Sequence, residues 1–231
     1  MTRALLFSEA PPRFPSWELS EPATNRRGGK SVYVWDGAAR TAPLLQLVRE
    51  GDAPLRLLST WREGARSLDV ELAEGPLADF LRALDDYTRH VAAEKCGDWF
   101  GKSLAAEDVA RMHAPLFHEG RHGSHTLRLR LHGAPEVWRR ARVGDVYGHG
   151  SASELREGAP CWLAAAVSGL YFLPRSFGLT LTVTDVMLLP EPRGFPFATA
   201  LPLRLGPEEP DVGPASDDEV AAASRGGAAS W

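Results

Sequence analysis

Leucines alternate with polar residues at 126–132 (TLRLRLH), and this pattern predicts a half-buried β-strand. Alternate residues of a strand point to opposite faces, so the three leucines face a core. Arg128 and Arg130 then share the exposed face. Such an alternation is typical of an antiparallel sheet with one side packed and one side in water.

Further apolar runs, separated by turn residues, predict more strands of the same kind. They cover residues 32–36, 44–48, 55–61, 68–72, 137–142, 161–173 and 179–189. A short basic and aromatic turn, LPRSFG at 173–178, joins the last two runs. This rhythm predicts a mainly β protein, arranged as a small curved antiparallel barrel or sandwich.

Residues 76–114 interrupt the β rhythm and predict a helical insertion, which makes the fold class α+β. Pro76 stands near the first turn of the stronger helix, and its apolar side chains recur at spacings of three and four. A second, shorter helix follows, with Ser103 as its expected N-cap. Asp85 and Asp86 are expected on the outer, solvated face of the first helix.

Composition and the chain ends indicate a soluble, non-secreted protein. Hydrophobic residues make up 44% and charged residues 24% of the chain, with a net charge of −4. No apolar run approaches the roughly 18 residues of a membrane span, and the first residues lack a cleavable leader. Cys96 and Cys161 lie far apart, as two buried thiols in a reducing compartment would. We therefore expect an intracellular protein.

Three segments are expected: an irregular lead-in at 1–30, one domain at 31–205 and a disordered tail at 206–231. The tail has six acids and one base, a net charge of −5, so residues 1–205 carry +1. It has no apolar periodicity, and it ends on Trp231. A mobile chain of carboxylates that ends in an indole resembles a nucleic-acid strand in charge and flat rings. The alternative is a solubilising tail.

Two catalytic motifs fail on their spacing. Residues 25–31 end in Gly-Lys-Ser, but position 24 is Thr24 rather than glycine, and a strand follows where a phosphate-binding loop needs a helix. This segment is better explained as a basic arm that can touch phosphates. Ser168 lacks the glycine that a nucleophile elbow requires two residues before the serine. Cys161 lies in an apolar strand, where it is better explained as a core residue. No enzyme and no cofactor is predicted.

Four histidines within thirteen residues are the strongest case for a metal: His113, His118, His122 and His125. Imidazoles are common ligands of zinc and iron. The segment has no carboxylate at a helical offset and no adjacent cysteine, so solvated loop histidines are the favoured interpretation. A metal-dependent enzyme remains the alternative, and a structural virion or interaction protein is another.

Cations interleaved with aromatics are the pattern that single-strand binding requires, because cations follow the phosphates while rings stack on bases. The candidate nucleic-acid-binding residues are Trp99, Lys102, Arg128, Arg130, Trp138, Arg139, Arg140, Tyr171, Arg175 and Phe177. The alternative for each ring is a place in the core, with basic neighbours reaching past it to water.

Several segments together resemble a family of single-stranded-DNA-binding proteins encoded by large DNA viruses of algae and protists. The segments are LDDY at 84–87, WFGKS at 99–103, APL at 114–116, VSGLYF at 167–172 and FGLT at 177–180. That family is similar to the podophage-type single-stranded-DNA-binding proteins.

The resemblance implies an OB-fold barrel that acts in replication and recombination in the infected host cell. It also implies a possible homodimer and a C-terminal tail that contacts a viral polymerase or helicase. In this chain the corresponding tail residues are Asp217, Asp218, Glu219 and Trp231.

Overall fold

The computed structural model describes residues 5–6, 17–24, 29–37, 40–47, 54–120, 124–140 and 147–190. The predictions for the tail at 206–231, for His122 and for residues 25–28 of the basic arm lie outside the described residues.

Three helices form the predicted insertion: α1 (Pro76–Glu94), α2 (Cys96–Phe100) and α3 (Ala106–Met112). Pro76 occupies the first turn of α1, where its missing N–H costs no helical hydrogen bond. The prediction that Ser103 caps the second helix is wrong. Ala105 is extended, with ψ at 152°, and α3 begins only after it, so the chain at Ser103 is not yet helical.

Fourteen strands lie in the described ranges. Eight precede α1, namely β1 (Leu5–Leu6), β2 (Trp17–Leu19), β3 (Ala23–Thr24), β4 (Lys30–Val32), β5 (Val34–Asp36), β6 (Leu44–Gln46), β7 (Leu55–Leu57) and β8 (Ser67–Leu72). Six follow α3, namely β9 (Phe117–Glu119), β10 (His125–Arg130), β11 (Glu136–Arg140), β12 (Tyr147–His149), β13 (Pro160–Leu173) and β14 (Ser176–Leu188). Each predicted apolar run contains a strand.

The first 30 residues are not wholly irregular, and the sequence prediction is corrected there. Strand β2 pairs antiparallel with β5, which sets Leu19 opposite Val34. Trp17 and Leu19 also pack against the core. A run of three residues is too short for its alternation to be recognised in sequence, because the hydrogen bonds that fix it come from a strand further along the chain.

Five strands close into a barrel in the ring order β7, β8, β10, β14 and β13, and β13 pairs back to β7. Four of the five pairings are antiparallel, and the pairing of β10 with β14 is parallel. A small closed barrel of five strands is OB-fold-like. This confirms the predicted fold class, with the helical insertion between β8 and β10.

The barrel core follows the alternation of the sequence. Leu127 lies opposite Val70 and Leu129 opposite Leu68, and all four side chains are buried. The intervening Arg128 points outward and is exposed, as predicted.

An irregularity in β13 changes which side chains of this strand face outward. Val167 is buried before it and Leu170 after it, so the buried positions shift from odd to even numbers. Gly169 lies at the shift with φ at +140°, and a Cβ there would come within 2.3 Å of the Val32 carbonyl oxygen. Tyr171 is thereby placed on the outer face of the barrel.

Candidate nucleic-acid interface

An open groove of about 360 Å³ crosses the outside of the barrel between β10 and β14. These two strands have only one pair in register, Arg130 with Thr182, so they leave space beside it. Residues 114–116, which follow α3, form part of the wall. The polar lining of this feature, called the basic groove below, includes Arg66, Ser67, His118, Arg128, Arg130, Tyr171 and Thr180.

The three groove arginines differ in their partners. Arg128 makes a bidentate ion pair with Asp69, with Nε–Oδ1 and Nη2–Oδ2 distances of 2.8 Å. Hydrogen bonding and then the charge of Asp69 raise the pKa of Arg128. Arg66 and Arg130 are exposed and make no ion pair with other described residues. Among the described residues, the groove therefore offers two cations without a carboxylate partner and one that already has a carboxylate.

Tyr171 contributes the aromatic surface of the groove. A Cβ at Gly178 would lie 3.0 Å from the Tyr171 hydroxyl and 2.9 Å from the Ala114 carbonyl oxygen. Glycine at this position therefore allows the ring and the wall to approach each other. Burial, and then the negative charge of Asp85, raise the pKa of the Tyr171 hydroxyl. The ring is half-buried, which leaves part of it accessible from the groove.

Asp85 accepts a hydrogen bond from the segment that forms part of the groove wall. The Leu116 N–H donates to its carboxylate, with a distance of 3.0 Å to Oδ2. Nε2 of His113 is 3.3 Å from Oδ1, without the alignment of a hydrogen bond. Asp85 is buried, so the prediction of a solvated outer face is wrong for it, although Asp86 is exposed. The segment after α3 packs over α1 at Asp85 and buries it. The helical periodicity of α1 alone does not predict this contact with a later segment.

Two of the predicted stacking rings belong to the core. Trp99 is 2% exposed and Phe177 is fully buried. Phe172 packs against both, at ring-centroid distances of 5.5 Å and 6.0 Å respectively. Neither Trp99 nor Phe177 has a face available to a base, so their prediction as binding residues is corrected to a structural role. Large aromatics gain most by leaving water, which explains this outcome.

The predicted cluster at 138–140 lies on β11, outside the basic groove, and its side chains are engaged locally. Trp138 donates through Nε1 to Asp185, at 3.2 Å. Arg139 is ion-paired with Glu154, at an Nε–Oε2 distance of 2.6 Å, which raises the pKa of Arg139. Arg140 lies over the ring of Trp162, 4.9 Å from its centroid. These contacts link β11 to β13, β14 and the turn at Glu154, and they occupy the cations.

Lys102 and Arg175 lie near the far end of the β13–β14 hairpin, and neither lines the basic groove. Arg175 is in the hairpin turn itself. Lys102 follows α2, whose Phe100 packs 5.4 Å from both Phe172 and Phe177. Both cations are exposed, and no ion pair joins either to another described residue.

The described histidines do not converge on one point. His125 contacts Glu74 and lies in β10, whereas His113 faces Asp85. Both side chains are largely buried, so the interpretation as solvated loop histidines is wrong for them; His118 is exposed. In the ranges that the structure describes, no group of three or more His, Cys, Asp or Glu side chains is placed to hold a metal ion.

The two nucleophile candidates have structural surroundings. Cys161 is fully buried, and this burial raises the pKa of its thiol to about 12, which keeps it protonated. The Ser168 hydroxyl donates to Thr182, at 2.6 Å. No helix in the described part of the chain is long and apolar enough to cross a membrane.

Sequence reasoning missed Arg66 and His118 as groove residues. Arg66 precedes β8, outside any alternating run, so its position depends on how the barrel closes. It also missed Tyr33, an exposed aromatic between two buried valines, which alternation could have identified.

No protein-family model matches the chain, and no curated protein matches its sequence. Solved structures with a similar backbone include the single-stranded DNA-binding protein from bacteriophage Enc34. The two sequences are 12% identical. The aligned region covers 78% of this chain and 94% of the phage protein, with a TM-score of 0.40. The same phage protein in complex with ssDNA has a TM-score of 0.38, at 12% identity over 77% of this chain and 98% of that chain.

Bacteriophage T7 gp2.5, a single-stranded DNA-binding protein, is also similar. The two sequences are 10% identical. The aligned region covers 71% of this chain and 97% of gp2.5, with a TM-score of 0.39.

Proposed function

We propose that the protein binds single-stranded DNA and has no catalytic activity. The observation that carries this proposal is the basic groove, where Arg66 and Arg130, which make no ion pair with other described residues, lie on the same surface as the ring of Tyr171. Fixed cations beside a partly accessible ring match the phosphates and bases of a single strand.

Binding would combine two physical contributions. Arg66 and Arg130 neutralise phosphates and release counterions, which makes affinity depend on salt. Tyr171 stacks on one base, a contact of about 1–3 kcal/mol. Arg128 assists when a phosphate replaces Asp69 as its partner. The mechanism requires no cofactor.

A single strand fits the groove better than a duplex for a geometric reason. In a duplex the base faces are covered by their neighbours, so the ring of Tyr171 would have no base to stack on. In an unpaired strand each base can rotate onto the ring, while its phosphate remains near an arginine. The groove therefore favours unpaired strands.

The deciding experiment compares the full-length protein with single-stranded DNA, duplex DNA and single-stranded RNA in mobility shifts at fixed salt. We expect the tightest binding to single-stranded DNA. An Arg130→Gln, Tyr171→Leu double variant should lose most of it, whereas Arg89→Gln on the outer face of α1 should not. Absence of binding by the wild-type protein would favour a structural or interaction role.

The biological role that we propose follows the resemblance of the sequence. The protein would cover single strands during viral replication and recombination inside the infected host cell, with a homodimer as a further proposed partner state. Its tail, at 206–231, would occupy the basic groove when DNA is absent. Once displaced, the acids and Trp231 would recruit a polymerase or helicase.

A further inference from the structure

The outer face of the barrel continues past Tyr171 onto β4. Strand β4 runs antiparallel to β13, with Ser31 opposite Tyr171. Residues directly opposite each other in an antiparallel pair present their side chains on the same face. Ser31 and Tyr171 therefore share the face that leads out of the basic groove.

Two aromatic rings follow on that face. Val32 and Val34 are buried, at 0% and 2% exposure, so the residues between and after them point outward. Tyr33 is 46% exposed, and its ring centroid lies 6.0 Å from that of Trp35, with 35° between the planes. We call these two side chains the Tyr33–Trp35 pair.

The pair is close to the groove because Gly169 has no side chain. A Cβ at Gly169 would lie 3.1 Å from the Tyr33 Cα. Across the next pairing Gly169 faces Thr180, which lines the basic groove. Two strand spacings, about 10 Å, thus separate Tyr33 from the groove lining. That distance is about three nucleotides at the 3.4 Å rise of a stacked strand.

We propose that the Tyr33–Trp35 pair is a second base-stacking platform, reached by a strand that crosses the basic groove and passes Tyr171. This proposal rests on the proposed function, because it extends the same binding path. The strand would have phosphates near Arg130 at one end of the path and bases on the Tyr33–Trp35 pair at the other.

The charges along the path favour nucleic acid over an apolar protein partner. Arg130, on β10, supplies a cation at the groove end of the path. Lys30 lies opposite the buried Phe172, so it is on the other face of β4 and does not border the Tyr33–Trp35 pair. The surface between Arg130 and the Tyr33–Trp35 pair is lined by small or polar positions such as Gly169 and Thr180. Spaced negative charges joined to flat rings complement this arrangement.

Ring removal at Tyr33 tests the platform in the full-length protein. Tyr33→Leu keeps apolar bulk but removes the ring, whereas Tyr33→Phe keeps the ring. The Tyr33 backbone N–H donates to Ser20 Oγ at 2.9 Å, a contact that both substitutions retain. Thymidine oligonucleotides of increasing length are titrated. We expect Tyr33→Leu to weaken binding of long oligonucleotides by roughly five- to hundredfold, with little change for those that fill only the groove.

An abasic nucleotide moved along a long oligonucleotide locates the contact. At one position the wild type should lose as much affinity as Tyr33→Leu does on the intact strand, and Tyr33→Leu should lose nothing further there. Tyr147→Leu is the matched control, because Tyr147 is 47% exposed and lies on β12. It should bind like the wild type.

Three results would overturn the platform: unchanged binding by Tyr33→Leu, an equal loss for Tyr33→Phe, or an equal loss for Tyr147→Leu. Thermal unfolding of each variant separates a loss of fold from a loss of contact. If the wild type itself binds no single strand, the proposed function fails and the platform fails with it. Tight wild-type binding that is indifferent to Tyr33 removes only the platform.

Discussion

The buried carboxylate of Asp85 accepts the backbone N–H of Leu116 at 3.0 Å, and this contact ties α1 to the wall of the basic groove. Removing the acceptor leaves a buried N–H without a partner, which costs about 1–3 kcal/mol. We expect Asp85→Ala to lower the free energy of unfolding by that amount in urea titrations, and to weaken single-strand binding as well. Asp85→Asn retains an acceptor oxygen and should lose less.

The neighbouring residue supplies the control for this substitution. Asp86 is exposed and pairs with Arg89 one turn along the helix. Exposed pairs of this kind contribute little, so Asp86→Ala should change stability by no more than about 0.5 kcal/mol. Equal destabilisation by the two alanine variants would contradict the role assigned to Asp85.

Gly178 is predicted to be intolerant of any side chain. In Gly178→Ala the new Cβ would lie 2.9 Å from the backbone oxygen of Ala114, which cannot move as a flexible side-chain end can. We expect a loss of about 1–3 kcal/mol in chemical unfolding, typical of overpacking, and weaker DNA binding because Tyr171 is displaced.

Gly97→Ala provides the comparison for Gly178→Ala. A Cβ at Gly97 meets nothing within 4 Å, and the residue lies in α2. Alanine is the better helix former, so this variant should be neutral or more stable by about 0.5–1 kcal/mol. Similar losses at both glycines would show that the close approach at Gly178 is not the cause.

The individual strands could be predicted from sequence because the information that specifies them is local. Alternation at 126–132 specifies which side of β10 is buried whatever strand lies beside it. The site depends on distant partners. Arg128 meets Asp69, 59 positions earlier, and Asp85 meets Leu116, 31 positions later. Trp99 and Tyr171 both stand in basic and aromatic surroundings, and only the folded arrangement distinguishes the buried ring from the accessible one.

The dependence of binding on salt should distinguish the two exposed arginines of β10. Arg130 has no carboxylate partner among the described residues, so Arg130→Gln should reduce the slope of log affinity against log salt by about 0.7. Arg128→Gln should reduce it less, because Asp69 already occupies that guanidinium. An unchanged slope for Arg130→Gln would exclude phosphate contact there.

Asp69→Asn tests the same relationship from the other side. It removes the competing carboxylate and leaves Arg128 available to a phosphate, so affinity at low salt should rise. A fall in affinity would mean that Asp69 is needed to orient Arg128 rather than to compete for it.

Acid should weaken the fold partly through Glu74. Hydrogen bonding from His125, and then from Arg82, holds the pKa of Glu74 below its ordinary value of 4.5. A lowered carboxyl pKa contributes stability above pH 4.5, and that contribution is lost as the pH falls through the lowered value. Glu74 is exposed, so the effect is small. Melting temperatures from pH 7 to pH 3 should fall less steeply for Glu74→Gln than for Glu63→Gln, in an exposed turn.

Removing residues 206–231 should raise affinity for single-stranded DNA at low salt. The tail carries a net charge of −5, so under the proposed function it would compete with phosphates for the arginines of the basic groove, and salt should diminish the difference. The six acids end at Glu219, twelve residues before Trp231, which allows charge and ring to be tested apart. Neutralising the six acids should reproduce the truncation, whereas Trp231→Ala should leave DNA affinity unchanged and affect only recruitment of a replication partner. If neither the truncation nor the neutralised tail binds more tightly, competition by charge is wrong; if Trp231→Ala alone raises affinity, the indole is the competing group.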